Sequence, residues 1–400
     1  MKKIYLLSCV AALLLTVSSC KDDVIGQTPV DGVAPACVTD VQVDNQAGKS
    51  VLTYKLPNET DLLYVKAVYE DSNGNKKEVK SSVFKNQMEL VGFGKSAKHT
   101  IQLYSVDRSQ NESKPVDVDI QPLDSPIYEV ANSLNVVDSW GGAKIFWSNS
   151  TEADVKINVS LKDSDNVYKS YETFYTNVKD GVNAIRGLDS IPQHLAVVIS
   201  DTYSNSTDTL FKDIKPLYEM ELPGKDFSVL PLPTGYVLSI WGGPFSRLFD
   251  GITGSSANAY YMDTTNPTLY HTPYFSFDMK KTYKLSRIRL WGRVGNNFEF
   301  SLHNLRYFQI WGTNDESCQS EPDDWTRWTK IRDCESIIPS GNDNKHVTSA
   351  DKAYYAQGEE YEFDIQTPPY RFLRIISTEN WSMTPKLHII EMKIWGSEVK

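Results

Sequence analysis

An all-β chain is predicted by three observations. Short runs that alternate polar and apolar residues recur along the 400 residues, turn clusters separate them, and one pattern of about ninety residues occurs twice. In the first copy SVLTYKLP, LLYVKAVYED and HTIQLYSV alternate with period two or are dense in β-branched and aromatic residues, and NGN and GFGK punctuate them. No run there reads as a long amphipathic helix. With 40% hydrophobic and 23% charged residues the chain has ample core material, and its length exceeds what one core organises, so two to four domains are expected.

The repeat relates residues 35–123 to 127–217 at an offset near 94. Asp119-Ile-Gln-Pro-Leu123 returns as Asp213-Ile-Lys-Pro-Leu217, and DRSQNES (from Asp107) returns as DTYSNST (from Asp201), each after a His-initiated strand, HTIQLYSV or HLAVVIS. Ninety residues of evenly spaced short strands is the pattern of a β-sandwich. The run from Val51 through a tyrosine-bearing strand to SVDRSQNESKP resembles fibronectin type III, and that resemblance implies two spacer modules, at 35–124 and 125–218. GFGKS (Gly92 to Ser96) is not a phosphate loop, because Glu89 stands where the first glycine of G-x-x-x-x-G-K-S belongs; it reads as a hairpin turn.

The amino terminus, MKKIYLLSCVAALLLTV, has two lysines followed by about a dozen mostly apolar residues, the layout of a secretory signal and too short to span a bilayer. It ends in V-S-S-C, which resembles the lipobox of bacterial lipoproteins. The resemblance implies removal of residues 1–19, lipidation of Cys20 and a linker over 20–34. Several acyl chains, each gaining roughly 0.8 kcal/mol per buried methylene, then anchor the chain without spanning the membrane. Lys21-Asp22-Asp23 looks like the acidic signal that sends Bacteroidetes lipoproteins to the outer face of the outer membrane.

A formal net charge of -10 argues against nucleic acid as a partner, since no basic stripe is present to displace counterions from phosphates. With Cys9 in the signal and Cys20 lipidated, only Cys37, Cys318 and Cys334 remain, which excludes a disulfide scaffold and leaves open whether Cys318 and Cys334 pair across their loop.

From residue 219 to 400 tryptophan becomes dense: Trp241, Trp291, Trp311, Trp325, Trp328, Trp381 and Trp395. Strands are expected at YFSFDM, SRIRLWGR, LRYFQIWGT, EEYEFDI, YRFLRIIS and HIIEMKIWG, between long polar loops, which favours an antiparallel barrel or jelly roll. RLFDG (Arg247 to Gly251), a strand ending in an acid (YFSFDM), SRIRLWGR, YFQIWGTND followed by WTRW, YRFLRI and the closing HIIEMKIWG succeed one another over residues 225–396. This order resembles the discoidin domain, the coagulation factor five/eight type C domain, and its carbohydrate-binding-module cousins. The chain lacks that family's terminal disulfide and carries an insertion of roughly thirty residues over 332–360.

The resemblance implies a third β-sandwich with ligand loops at one end. Sugar-binding members use a platform aromatic with an arginine, a histidine or an asparagine: a pyranose stacks its C–H face on a ring, and fork-like donors suit its hydroxyl pairs. Matching positions are Arg293, Asn296 and Asn297 in RVGNN, and Asn380 and Trp381 in TENWSMTPK, with Trp241 in SIWGGPF and Tyr261 in NAYYMD as further walls. Each has a structural alternative: Arg293 paired with a surface acid, Trp241 plugging the sandwich end. Trp291, Trp311 and Trp395 fall inside strands and are assigned to the core. Some family members hold a structural calcium beside the Asp-Gly turn. Asp250 and Glu391 match its two carboxylates, with Ser255 the nearest hydroxyl, and calcium takes six to eight oxygens in all; a salt bridge or turn cap at Asp250 is the alternative.

No G-x-S-x-G or H-E-x-x-H is present, and the six histidines show no ligand spacing. The expectation is a non-catalytic lipoprotein of a Bacteroidetes glycan-utilisation system, in which two spacers lift a discoidin-like tip that captures polysaccharide or oligosaccharide beside outer-membrane uptake proteins. The rival readings are a protein-interaction or adhesion module and, behind it, a glycosidase without a recognisable motif.

Overall fold

The computed structural model describes residues 31–254, 259–265, 272–321 and 323–399. The signal segment, Cys20 and Ser255 lie outside the described residues. Two compact units form, one from residues up to 135 with 145–183 and 194–212, the other from 136–144, 184–193 and 213 onward. The protein is all-β, with about half of its residues in strands.

The first module runs β1 (Thr39–Gln46), β2 (Lys49–Lys55), β3 (Leu62–Glu70), β4 (Lys76–Ser82), β5 (Gln87–Val91), β6 (His99–Asp107) and β7 (Val116–Ile120). They pair as a three-stranded sheet β1-β2-β5 and a four-stranded sheet β4-β3-β6-β7. Alternation decides which side chains enter the core. Leu52, Tyr54, Met88 and Leu90 from one sheet meet Val65, Ala67, Ile101 and Leu103 from the other, and each larger apolar side chain buried this way contributes roughly 1.5–3 kcal/mol.

The second module opens on a short helix, α1 (Pro126–Ser133), whose proline occupies a position where no N–H is needed. It continues with β8 (Asn135–Ser139), β9 (Gly142–Ser148), β10 (Val155–Lys162), β11 (Tyr168–Thr176), β12 (Asp180–Ile185), β13 (Gln193–Asp201) and β14 (Leu210–Ile214). Its sheets, β12-β9-β8 and β11-β10-β13-β14, repeat the strand order of the first module element for element.

The carboxy-terminal region contains β15 (Met220–Glu221), β16 (Ser228–Val229), β17 (Tyr236–Leu238), β18 (Tyr260–Thr264), β19 (Tyr274–Trp291), β20 (Leu305–Thr313), β21 (Thr329–Glu335), α2 (Ser349–Ala356), β22 (Glu359–Glu362), β23 (Tyr370–Asn380), β24 (Leu387–Ile389) and β25 (Glu391–Glu398). A large sheet, β15-β25-β19-β23-β20-β21, also takes β16 and β22 onto β19, and a smaller sheet is ordered β17-β18-β24. Phe275, Phe277, Ile288, Ile310, Leu373 and Ile375 of the first share one core with Tyr260, Met262, Leu387 and Ile389 of the second.

Several expectations are corrected here. YFSFDM and SRIRLWGR are one 18-residue strand; its register breaks between Asp278 and Tyr283, where Lys280 takes φ 70° and its N–H caps Asp278 Oδ1 at 2.7 Å. HIIEMKIWG is two strands in different sheets, because Ile390 turns aside to donate its N–H to Trp291 O at 2.8 Å. The insertion over 332–360 is partly regular: β21 covers its beginning, and α2 starts at a reciprocal capping box between Thr348 and Asp351. Cys318 and Cys334 are both free and buried; they sit in different clusters, Cys318 with Leu230, Trp328 and Phe372, Cys334 in the main core. Trp291 is buried as expected, whereas Trp311 and Trp395 are only half-buried.

Candidate functional site

Three chain segments meet at one end of the carboxy-terminal sandwich: the loop after β19, the turn before β20 and the loop between β23 and β24. Buried Asn304 ties them together. Its Oδ1 accepts from Arg293 N at 2.8 Å, its Nδ2 donates to Arg293 O at 3.1 Å and Phe298 O at 2.8 Å, and its carbonyl accepts from Trp381 N at 3.2 Å. A parallel bridge joins Asn304 to His388. Gly292 lets the first loop pass close to the core, since a Cβ there would lie 1.9 Å from the Tyr355 hydroxyl.

That loop is wound through the left-handed region. Gly295, Asn296, Asn297, Phe300 and Leu302 all have φ between 49° and 80°, a conformation that costs non-glycine residues of order 1 kcal/mol each. Fully buried Phe300 holds it down, packed against Tyr355 at 4.4 Å between ring centroids.

On the outward face of the small sheet, Tyr261 of β18 lies opposite His388 of β24. Tyr261 is only 8% exposed, so the expected ligand wall is corrected to a packed residue beneath the rim. The Tyr261 and His388 rings meet edge to face at 3.9 Å, and His303 stacks on Tyr261 at 5.7 Å. His303 Nδ1 is held by Thr384 Oγ1 at 2.8 Å and Ser382 Oγ at 3.2 Å, which leaves Nε2 without a partner among the described residues. Burial, with Lys386 and Arg293 adding to it, pushes His303 down to about 4. Burial, with His303 and Arg293, pushes His388 down to about 3. Both imidazoles are therefore neutral at ordinary pH. His388 Nδ1 is buried with no hydrogen-bond partner. At the rim Lys386 Nζ bonds Asp263 Oδ2 at 3.1 Å; burial alone would depress the ammonium, but Asp263 and the Tyr261 hydroxyl outweigh it and hold its pKa above the usual value.

Arg293 stands beside this cluster with its guanidinium 3.9 Å from the Phe298 ring centroid. Its Nε is buried and unbonded, and no carboxylate pairs with it among the described residues. Elsewhere in the domain Arg247, Arg287, Arg289, Arg306, Arg327 and Arg371 each hold a carboxylate within 3.1 Å. The internal stretches outside the described residues, SSAN (255–258) and NPTLYH (266–271), contain no acid. Among the described residues the sequence alternative of a surface ion pair thus finds no acid.

The other expected ligand residues separate into two groups. Asn296 and Asn297 are exposed on the loop, though Asn297 Oδ1 is engaged by Lys352 Nζ at 2.6 Å. Trp241 is 79% exposed on a turn beside Ile240, 91% exposed, so it is no core plug; Ser239 N and Gly243 N anchor that turn to the carbonyls of Tyr261 and Ala259. Two residues are corrected. Asn380 is fully buried, and its amide is consumed by Thr384 O, Lys386 O and the N–H groups of Ser382 and Thr384; it shapes the loop instead of meeting a ligand. Trp381 packs against the Phe300 cluster, with its Nε1 buried and the Arg306 guanidinium 5.0 Å over its ring, so it is a brace and not an open platform.

His303, His388 and Lys386 were not singled out as ligand residues by sequence. The histidines lie far apart in the chain, and the bridge at Asn304, which no spacing rule encodes, brings them together.

Asp250 and Glu391 do approach each other. Gly251 N donates to Glu391 Oε2 at 3.0 Å, while burial, reinforced by the Asp250 charge, lifts Glu391 to about 7. Asp250 Oδ2 also bonds Arg247 Nη1 at 3.0 Å. Two carboxylates close enough to repel are a donor set that a hard cation fits, and Arg247 is the competing occupant.

A cleft elsewhere is lined mainly by groups that pair with one another. It measures about 480 Å³ and is lined by Lys49, Glu89, Ser125, Asp201 and Tyr203; Lys49 and Glu89 pair at 2.9 Å, and Asp201 is saturated by Tyr203 N, Asn205 and Ser125.

Three family models match the chain, each described as a domain of unknown function: DUF4959 over residues 35–122, DUF5126 over 123–225 and DUF5000 over 249–396. No curated protein matches it. Among solved structures it is similar to a SusE-like protein, at 27% identity over 68% of this chain and 98% of that one, with a TM-score of 0.44. The carboxy-terminal domain of a chitobiase from Bacteroides fragilis is 13% identical over 45% of this chain and 100% of its own, with a TM-score of 0.30. A two-domain fibronectin type III segment of chicken tenascin is 13% identical over 45% and 99%, with a TM-score of 0.20.

Proposed function

We propose that the chain is a non-catalytic, lipid-anchored surface protein that binds glycan at the Arg293 end of its carboxy-terminal sandwich, the two repeated modules acting as spacers. The observation that carries this reading is the unpaired Arg293 guanidinium beside the neutral Tyr261, His303 and His388 cluster. A half-buried cation without a counter-charge costs free energy in the empty protein, and a polar ligand supplies it with a partner. The lipobox-like V-S-S-C and the tandem modules support presentation at the surface. The rim carboxylates Asp263 and Glu379 are each tied to a cation, Lys386 and Arg306, whereas glycoside hydrolysis needs two carboxylates poised across the substrate. In the same proposal Asp250 and Glu391 hold a structural calcium.

Affinity electrophoresis across a broad polysaccharide panel tests the reading. Retardation by at least one glycan, lost in Arg293→Ala with folding intact, is expected; mobility unchanged on every glycan defeats it. The Ile240-Trp241 turn favours one second reading, a protein-adhesion surface. Retrieval of an outer-membrane protein by wild type but not by Trp241→Ser, with no glycan retained, would select that reading. Release of reducing sugar from the panel would select the glycosidase.

A further inference from the structure

We infer that the ligand of this end is an acidic glycan, and that the Nη1 and Nη2 edge of Arg293 pairs with the carboxylate of a uronic acid residue. The inference rests on the glycan-binding reading and adds the substrate class to it.

The argument is one of local charge. Lys386 is neutralised by Asp263 and Arg306 by Glu379, and both histidines are uncharged. Among the described residues two cations at this end have no carboxylate partner: Arg293, and Lys352, which is held by the side-chain oxygen of Asn297. The acids nearby are engaged within the protein: buried Glu299 accepts from Gly295 N at 2.7 Å, Asp351 closes the capping box with Thr348, and Glu359 is buried beside Tyr355. Among the described residues the Arg293 charge is therefore met by no carboxylate of its own, on a chain whose formal charge is -10. A neutral hydroxyl would leave that charge uncompensated; an anion would not.

Geometry selects the kind of anion. With Nε buried, the planar pair of Nη nitrogens is the edge that remains, and its two parallel N–H groups match the spacing of a carboxylate. Phe298 fixes the plane of the fork from behind. The outward edge of His303, which stacks on buried Tyr261, then lies beside it and offers a neutral nitrogen to the body of the same sugar.

The test uses the full chain without its signal, in affinity gels and calorimetry. Four probes are compared: polygalacturonate, the same polymer with its carboxyl groups reduced to alcohols, a sulfated galactan and a neutral galactan. Polygalacturonate or another polyuronate such as alginate should bind, carboxyl reduction should weaken it at least tenfold, and affinity should fall as salt rises from 50 to about 300 mM. Arg293→Gln should lose binding at least tenfold, and Arg293→Lys, which keeps the charge but not the fork, should recover only part of it. Unchanged thermal midpoints would show that both variants fold. Equal affinity for the reduced and native polymers, or preference for the neutral galactan, overturns the acidic class while leaving glycan binding intact. Preference for the sulfated galactan alone overturns the carboxylate. Retention by none of the probes or the wider panel overturns the glycan reading itself.

Discussion

Arg374 and Arg293 of the carboxy-terminal sandwich both face aromatic rings, and they could hardly be treated more differently by the fold. Arg374 on β23 is fully buried, with Tyr274, Trp325 and Trp328 at 4.6, 4.3 and 4.1 Å from its guanidinium carbon and Ser276 Oγ accepting from its Nε at 2.8 Å. Burial lowers it to about 10, so it remains charged at neutral pH. Arg293 has one ring, one buried nitrogen and an open edge. A cation closed in on all sides holds the protein together, and one closed in on a single side waits for something else. The comparison teaches that arginine beside aromatics is not in itself a binding signal; the unfilled side is.

The sharpest way to break the comparison is to delete both side chains. Arg374→Ala should cost about 3 kcal/mol or more in urea unfolding, by opening a cavity among three large rings. Arg293→Ala should cost within about 0.5 kcal/mol yet abolish glycan retention. Equal stability losses would show that the two sites do the same job.

Removing the tie between the loops comes next. Asn304→Ala leaves the Arg293 amide and the Arg293 and Phe298 carbonyls without their partner, and about 2 kcal/mol of stability should go with them. Glycan affinity should fall too, because Arg293 loses its backbone support, and the salt dependence of the residual binding should be unchanged. A loss of stability with full affinity would show that Arg293 is positioned by some other contact.

A smaller effect is expected at Asp250 and Glu391. Because the folded pKa of Glu391 is raised to about 7, its contribution is fully present below the unfolded value near 4.5 and is lost as pH rises through 7. In chelator, Glu391→Gln should therefore be the more stable protein at pH 8, by on the order of 1 kcal/mol. Added calcium should raise the wild-type melting midpoint and leave the variant where it was. If calcium moves neither, the Asp250–Arg247 ion pair is the resting arrangement and no metal is held. Glu359, also lifted to about 7 by burial, gives the same sign and survives the substitution as an internal reference.

The smallest effect is the pH response of the histidines, which runs the other way. Their folded values near 4 and 3 lie below the unfolded 6.5. The folded state thus binds fewer protons than the unfolded chain, and stability is lost as pH falls from about 6.5 towards 4. Substituting Gln at His388 should flatten that decline by at most about 1 kcal/mol. Because neither ring titrates above pH 5, glycan retention should stay level from pH 5 to 8. A step in affinity near pH 6.5 would show that one ring is protonated in the complex.

The strands were largely legible because each alternates or carries β-branched residues, and the repeat was legible because its conserved phrases, DIQPL and DIKPL, close equivalent strands. What escaped was the place where local pattern and topology part company. HIIEMKIWG reads as one strand, yet its first half pairs with β18 in the small sheet and its second with β19 in the large one. At the site, RVGNN was found because residue type and order suffice to mark a loop. The fates of the two loop tryptophans could not be found that way: Trp241 stands out in solvent because its turn is pinned to Tyr261 and Ala259, and Trp381 is drawn inward by Phe300. His303 and His388 were missed for the same reason, since their meeting depends on a bridge between segments far apart in the chain.

The left-handed winding of residues 295–302 also limits how this protein can change. Five of those eight positions exclude β-branched side chains on steric grounds, so random variation there should yield mostly unfolded or silent clones. The segment from Trp381 to Lys386, where only Met383 has a positive φ, is free of that restriction. Libraries built on the second loop should produce new sugar preferences, and libraries built on the first should return mainly asparagine and glycine.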